Sequence, residues 1–435
     1  MKYKSCNLLA EGAIEFRYNG IALCQRVDHV GGGDIVVGWF DDKEDKDIHF
    51  DLDKYMERKM EVVEQNKSGQ LYHKCVGCVE LQDREWPEIT PQIFQIILHH
   101  WTKCNSHCVY CYTNKDKEYF NNRNCYQIYP LLEKLAKRDL IRYGGICTWA
   151  GGEVSCLPEF EKVVKFLSKY DYVPLFNSSC VKFEKTIAKH LEKGNGLLVV
   201  SIDAGTRETH LKIKQLDTYE KVWKNMAKYA KKLFMPSLLF AKYIVVKDIN
   251  DNEEEIIAFL KKVKESGCKH VLMEIDHYYF CDNRDNIPKY IRDLFYFAYE
   301  KATEMGLVCQ IYSNSSVFLQ QGQWADVEFW HGKVFDAGHE IEHYAYRPVY
   351  RITSAKKTTK YEDIRTAACS NGLTYLDVWN ACEKTRKKKN FKINDNYYFY
   401  ASDIELNYKY DFKKSTTVKE VDWKFIESVM KKRFF

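Results

Sequence analysis

The sequence predicts an α/β fold, and three observations carry that reading. From Pro91 onward short apolar runs alternate with amphipathic stretches, the pattern of a parallel sheet with helices on its faces. Those runs stop at glycine-rich or polar corners, where such folds hold their ligands beyond the C-terminal ends of the strands. A cysteine-punctuated segment precedes the repeats, and an aromatic-rich one follows them. The domains are therefore expected at 1–88, a small N-terminal metal-binding domain, at 89–313, the repeats, and at 314–435, an α+β C-terminal extension.

Size and composition bound the rest. The chain has 435 residues, 45% hydrophobic and 29% charged, as in ordinary globular proteins with room for two or three cores. No apolar run reaches the 18 or so residues a membrane-spanning helix needs. The charged start Met1–Cys6 is followed by no apolar signal-peptide core, so a cytoplasmic protein is expected. Sixteen cysteines in a reducing compartment point to metal binding where they cluster, not to disulfides. A net charge of +5 permits an acidic substrate without demanding one.

The elements follow in order. Ala13–Tyr18, the turn Asn19-Gly20 and Ile21–Cys24 read as a hairpin, because Asn-Gly supplies the two positive-φ residues of a tight turn. A helix is expected from Leu52 to Glu64, and Cys75-Val-Gly-Cys78 forms a metal-binding knuckle. Six strands then follow: Ile93–His100, Gly145–Ala150, Val173–Phe176, Gly196–Ile202, Leu238–Val246 and His270–Ile275, with a further one possible at Leu307–Tyr312. Between them, Phe160, Val163, Val164 and Leu167 recur at helical spacing. Helices are also expected at Phe183–Lys193, Glu253–Ser266 and Ile287–Met305.

The first strand feeds Cys104-Asn-Ser-His-Cys108-Val-Tyr-Cys111, three cysteines on one tight loop. Three thiolates can hold three irons of a [4Fe–4S] cube and leave the fourth iron open to a small molecule. A zinc knot or three unrelated thiols are the alternatives, although zinc usually takes four ligands in pairs. The second strand feeds Gly151-Gly152-Glu153, whose glycines let backbone approach a bound molecule closely.

This spacing of cysteines, with the aromatic Tyr110 before the last of them and Gly-Gly-Glu after the second strand, resembles the radical S-adenosylmethionine (radical SAM) superfamily. The resemblance implies a six-stranded partial (β/α) barrel and a cluster held by Cys104, Cys108 and Cys111. It also implies S-adenosylmethionine (SAM) on the open iron, reductive cleavage to a 5′-deoxyadenosyl radical, and hydrogen abstraction from substrate. By the same resemblance Tyr110, Gly151, Gly152, Glu153, Asn177, Ser179, Ser201, Asp203 and Lys214 line the cofactor pocket. Glu274, Asp276 and His277 would face substrate, while His107 and Lys103 read as solvated loop residues. A flavodoxin or ferredoxin would supply the electron. The substrate, a peptide or a sugar- or nucleotide-type molecule, stays open. Cys6, Cys24, Cys75 and Cys78 are similar in order to the SPASM and twitch modules, which implies a second, auxiliary [4Fe–4S] cluster; four-cysteine zinc remains the alternative.

The last segment predicts helices at Thr374–Thr385 and Val418–Lys432. His339-Glu340-Ile-Glu-His343 fits the zinc-metalloprotease pattern, but so short a pattern arises easily by chance. The basic runs Lys384–Lys389 and Lys431–Arg433 read as solvated faces. A metal-stabilised nucleic-acid-binding module without redox chemistry is the alternative from another class.

Overall fold

The structure is a computed structural model. It describes residues 4–24, 35–40, 48–76, 78, 81–83, 85–111, 126–234, 236–283, 287–312 and 329–330. Toward the C-terminus it describes 349–353, 355, 357–361, 364–371, 373, 375–386 and 392–400. The helix expected at Val418–Lys432 and the motif at His339, Glu340 and His343 lie outside the described residues. Contacts divide the chain into two units, Met1–Val334 and Phe335–Phe435.

The first unit opens with β1 (Lys4–Ser5), α1 (Asn7–Glu11), β2 (Ala13–Arg17), β3 (Gly20–Ala22), β4 (Val36–Trp39), β5 (His49–Phe50), α2 (Leu52–Lys67) and β6 (Gln82–Asp83). The repeats follow as β7 (Ile93–His99), α3 (Tyr129–Lys137), β8 (Ile141–Trp149), α4 (Phe160–Ser168), β9 (Val173–Ser178), α5 (Lys185–Lys193) and β10 (Leu197–Ser201). Next come α6 (Arg207–Lys214), α7 (Tyr219–Ala230), β11 (Leu239–Val245), α8 (Glu253–Ser266), β12 (His270–Ile275), α9 (His277–Asn283), α10 (Lys289–Glu304), β13 (Val308–Tyr312) and β14 (Phe329–Trp330). The helices start and stop on local chemistry. Asn252 caps α8 by accepting the Glu255 N–H, and Gly267 ends it in the left-handed region. Thr206 caps α6 in the same way.

The expected α/β class is observed, with a mostly parallel sheet. Its order is β14-β13-β12-β11-β10-β9-β8-β7-β2-β3-β4-β5, parallel from β14 to β2 and antiparallel from there to β5. Two expectations need correcting. The parallel run takes in the further strand expected at Leu307–Tyr312 as β13, and extends past the expected strands to β14 at one edge and β2 at the other. The boundary expected at 88/89 is also not a break: β2 bonds to β7, with Ala13 opposite Gln95 and Arg17 opposite His99. An unpaired outer edge on β7 would leave a row of unsatisfied amides and carbonyls, and the hairpin covers it.

In parallel strands, residues in register share a face, and every second residue returns to it. One face of this sheet buries aromatics against the helices: Trp149 meets Phe160 of α4 edge-on, and Tyr243 meets Phe259 of α8. By register, the other face carries Glu15, Arg17, His99, Thr148, Asn177, Ser201, Lys242 and Glu274.

The second unit is a small α+β body. β15 (Val349–Thr353) sits between β16 (Thr358–Tyr361) and β17 (Asn396–Tyr400), all antiparallel. Among the described residues its helices are α11 (Ile364–Cys369) and α12 (Tyr375–Arg386), the latter close to the helix expected there.

Candidate functional site

The three-cysteine loop leaves the C-terminal end of β7 and is held from two sides. On one side lies the corner after β8. Gly152 N–H donates to Trp101 O at 2.5 Å and Glu153 N–H to Lys103 O at 2.9 Å. The approach is so close that a Cβ on Gly152 would stand 2.3 Å from Lys103 O. Gly151, at φ +88°, takes a left-handed conformation that other residues adopt only with strain. On the other side lies the end of α6, where His107 N–H donates to Lys214 O and Val109 N–H to Ile213 O, both at 3.0 Å. Val109 and Tyr110 pack there on Ile213, Ile244 and Val246.

Within the loop, Cys111 N–H bonds Cys108 O at 3.0 Å, and Ser106 N–H points at the Cys104 sulfur at 3.4 Å. Cys104 is exposed as a residue, yet desolvation of its sulfur pushes the thiol up to about 12, with Glu153, Cys108 and Cys111 adding to the rise. Burial also raises Cys108; Lys214 opposes that, while Asp203 and Cys111 add to it. The three thiols thus feel one another's charge, and a bound cation would stabilise the thiolates that metal ligation needs. Among the described residues no three His, Cys, Asp or Glu side chains are grouped around a single ion. A cubane instead spreads its thiolates over separate irons. The donor set and the loop that carries it fit such a cluster.

The other expected pocket residues gather at neighbouring strand ends, and most are bonded to the protein itself. The buried Glu153 carboxylate accepts from Ser178 Oγ at 2.8 Å, Ser179 N–H at 2.6 Å and Ser155 N–H at 3.3 Å, fastening the ends of β8 and β9 together. Asn177 Nδ2 donates to Trp149 O at 2.9 Å, and Ser179 Oγ to Asn105 Oδ1 at 2.9 Å. Asp203, fully buried at φ +62°, accepts the Ile244 N–H at 2.8 Å and the Tyr110 hydroxyl at 2.5 Å, and it pairs with the Lys214 ammonium. Lys214, 2% exposed, also donates to Tyr110 Oη at 2.8 Å. The Lys214 ammonium, expected from the resemblance to line the cofactor pocket, therefore faces Asp203.

Ser201 ends β10 in register with Lys242, whose ammonium pairs with Glu274 on the next strand. Asp276 Oδ1 accepts the Tyr278 N–H at 3.1 Å at the start of α9, and His277 opens that helix. Lys103 and His107 are exposed, with the Lys103 ammonium 5.6 Å from the Trp101 ring centroid.

Sequence reasoning missed a group beside the loop. His99 Nδ1 lies 2.5 Å from Glu15 Oε1, and Arg17 donates to Glu15 Oε2 at 2.6 Å. Alternation along Ala13–Tyr18 is the only signal that could have shown Glu15 and Arg17 sharing a face.

Among the described residues the four N-terminal cysteines do not form a metal-holding group of three. β1 pairs with β6, which brings Cys6 toward Cys78, and Cys78 N–H bonds Cys75 O at 3.1 Å. Burial raises the Cys75 thiol, the Asn66 side chain opposes it and Cys78 adds to it. Cys24, just after β3, lies within electrostatic reach of Tyr55 on α2.

Residues 98–261 match the family model described as Radical SAM superfamily, from the end of β7 into α8. Over that segment, about 38% of its length, the chain is similar to the radical SAM superfamily. No curated protein matches it. Among solved structures it is similar to native anSMEcpe with bound AdoMet and the Cp18Cys peptide, at 21% identity and a TM-score of 0.38, over 50% of this chain and 62% of that one. It is similar to Streptococcus suis SuiB bound to precursor peptide SuiA, at 12% identity and a TM-score of 0.43, over 66% of this chain and 61% of that one. A radical SAM methyltransferase from Sphaerobacter thermophilus shows 10% identity and a TM-score of 0.33, over 48% and 63% of the two chains. The chain thus spans about three fifths of the length of each.

Proposed function

We propose that this chain binds a [4Fe–4S] cluster through Cys104, Cys108 and Cys111, cleaves SAM reductively, and abstracts hydrogen from a polar substrate. The observation that carries the reading is the loop itself: three thiols within reach of one another, pinned between the Gly151–Gly152 corner and the end of α6, where a parallel sheet presents its ligands. When bound, the cluster supplies the electron that breaks SAM into methionine and a 5′-deoxyadenosyl radical. The six strands β7 to β12 read as the partial barrel that encloses this chemistry. The glycine corner offers backbone groups to the cofactor's amino and carboxylate ends. Ser201 stands beside it, with Asn177, Ser179 and Glu153 as braces of the pocket wall. A small flavodoxin- or ferredoxin-type donor is the expected electron source.

The face bearing Glu15, Arg17, His99, Thr148, Asn177, Ser201, Lys242 and Glu274 supports a hydrogen-bonding substrate with charged groups, of peptide or sugar- and nucleotide-type chemistry. Glu274, with Asp276 and His277 beyond it, is the acidic group nearest that face's far edge. Among the described residues no helix is long and apolar enough to cross a membrane.

The test is anaerobic reconstitution with iron and sulfide, reduction by dithionite and addition of SAM. Wild type is expected to release 5′-deoxyadenosine, and Cys108→Ala to release none while keeping its circular dichroism. Equal release by both proteins overturns the assignment. Cys6, Cys24, Cys75 and Cys78 we assign to a second metal centre of the auxiliary-cluster type. Metal analysis separates its forms: about eight irons per chain for a second cubane, about four irons and one zinc for a zinc site. Cys75→Ala is expected to lose the second centre alone, and unchanged metal content in that variant sinks the assignment.

A further inference from the structure

Asp203 is held by the sheet before it touches the loop. Its Oδ1 accepts the Ile244 N–H at 2.8 Å, and its carbonyl accepts Asn250 Nδ2 at 2.8 Å. Asn250 is itself fixed, taking the Val246 N–H on Oδ1 at 2.6 Å and donating to Ile244 O at 2.8 Å. The left-handed backbone at φ +62° turns the side chain out of strand register, at a conformational cost that a non-glycine residue carries only where contacts repay it. The remaining oxygen, Oδ2, meets both the Lys214 ammonium and the Tyr110 hydroxyl.

Both partners belong to the cysteine loop's supports. Tyr110 stands between Cys108 and Cys111. Lys214 is the last residue of α6, and its carbonyl, with that of Ile213, binds the amides of His107 and Val109 on either side of Cys108. One carboxylate therefore reaches the loop on both flanks of Cys108, through Tyr110 next to Cys111 and through Lys214 bonded to the His107 amide. A buried ion pair is weak evidence for stability, because desolvation offsets most of its attraction. Beside a metal site, such outer groups fix ligand orientation and set local charge.

We propose that Asp203 is a positioning residue which, through Lys214 and Tyr110, sets the geometry and charge around Cys108 and Cys111 and thereby how the cluster accepts SAM. This rests on the radical SAM reading above. The Tyr110–Asp203–Lys214 contact is then an internal clamp, and its lysine is spent on the protein, not on a ligand carboxylate.

The experiment compares wild type, Asp203→Asn, Tyr110→Phe and Lys214→Arg after anaerobic reconstitution. It reads iron content, melting temperature and the electron paramagnetic resonance spectrum of the reduced cluster during a SAM titration. Asp203→Asn is expected to keep its iron while its spectrum shifts and its apparent SAM affinity falls about tenfold. Tyr110→Phe should shift the spectrum in the same direction by less. Lys214→Arg, which keeps the charge, should stay near wild type. If Asp203→Asn does not fold, Tyr110→Phe decides alone, since it removes one hydroxyl and keeps the ring. Variants with wild-type spectra and SAM affinity overturn the clamp. A wild-type protein whose spectrum ignores SAM overturns the underlying reading instead, and that failure is seen without any variant.

Discussion

His100 follows β7 at the root of the cysteine loop, 1% exposed, with neither ring nitrogen hydrogen-bonded among the described residues. Glu159 Oε1, at 3.9 Å, is too far to bond it. Burial first, and His99 second, push it down to about 3, so the folded protein holds it neutral. The unfolded chain binds its proton near 6.5, so the folded state is favoured fully above that pH and loses stability as the pH falls toward 3. The slope is at most about 1.4 kcal/mol per pH unit. Glu15 adds to the same limb. Burial would raise it, but the charges of His99 and then Arg17 outweigh that and hold it below the ordinary carboxylate range. Its stabilisation is present above about pH 4.5 and is lost below. Denaturant midpoints measured between pH 7.5 and 5 should fall for wild type and stay nearly flat for His100→Phe. Parallel curves would remove His100 from the account.

Elements explain why the loop lies where it does. Two glycines admit it on one side and the last turn of α6 on the other, so its position depends on backbone contacts more than on its own side chains. Gly152→Ala puts a methyl group against Lys103 O and should cost about 1–3 kcal/mol, as overpacking does. The expected result is a modest drop in melting temperature with a large loss of reconstituted iron, read on the same sample. A variant that melts early but keeps its iron would show that the corner supports the fold and not the loop. The loop's spacing and the Gly-Gly-Glu corner were legible because each is a local pattern at a strand end. The clamp was not: Tyr110 and Asp203 lie 93 residues apart, and His99 and Glu15 lie 84 apart. Tyr110, Asp203 and Lys214 had been read as lining the cofactor pocket, and His99 and Glu15 had been given no role, because a sequence does not show which polar groups satisfy one another.

For the first unit as a whole, the parallel pairing of β2 with β7 makes the N-terminal hairpin part of the main sheet. Lys59, fully buried on α2 with its ammonium on Thr90 O, and Tyr55, bonded to Ala13 O at 3.4 Å, tie that segment down further. A chain lacking residues 1–24 should expose the β7 edge and aggregate, by size-exclusion chromatography and light scattering. A monomeric, cooperatively melting truncation would show that β7 does not need the hairpin on its edge.

Local pattern alone determined the α/β class, the strands from β7 to β13, the three-cysteine loop and the glycine corner, because periodicity and short spacings are written within a few residues. Tertiary structure decided that the hairpin continues the parallel sheet, that polar residues from Glu15 to Glu274 share one sheet face with apolar ones, and that Asp203 and Lys214 bind each other. Those outcomes depend on which strand edges and which buried charges find partners, and such pairings form only between segments far apart in the chain.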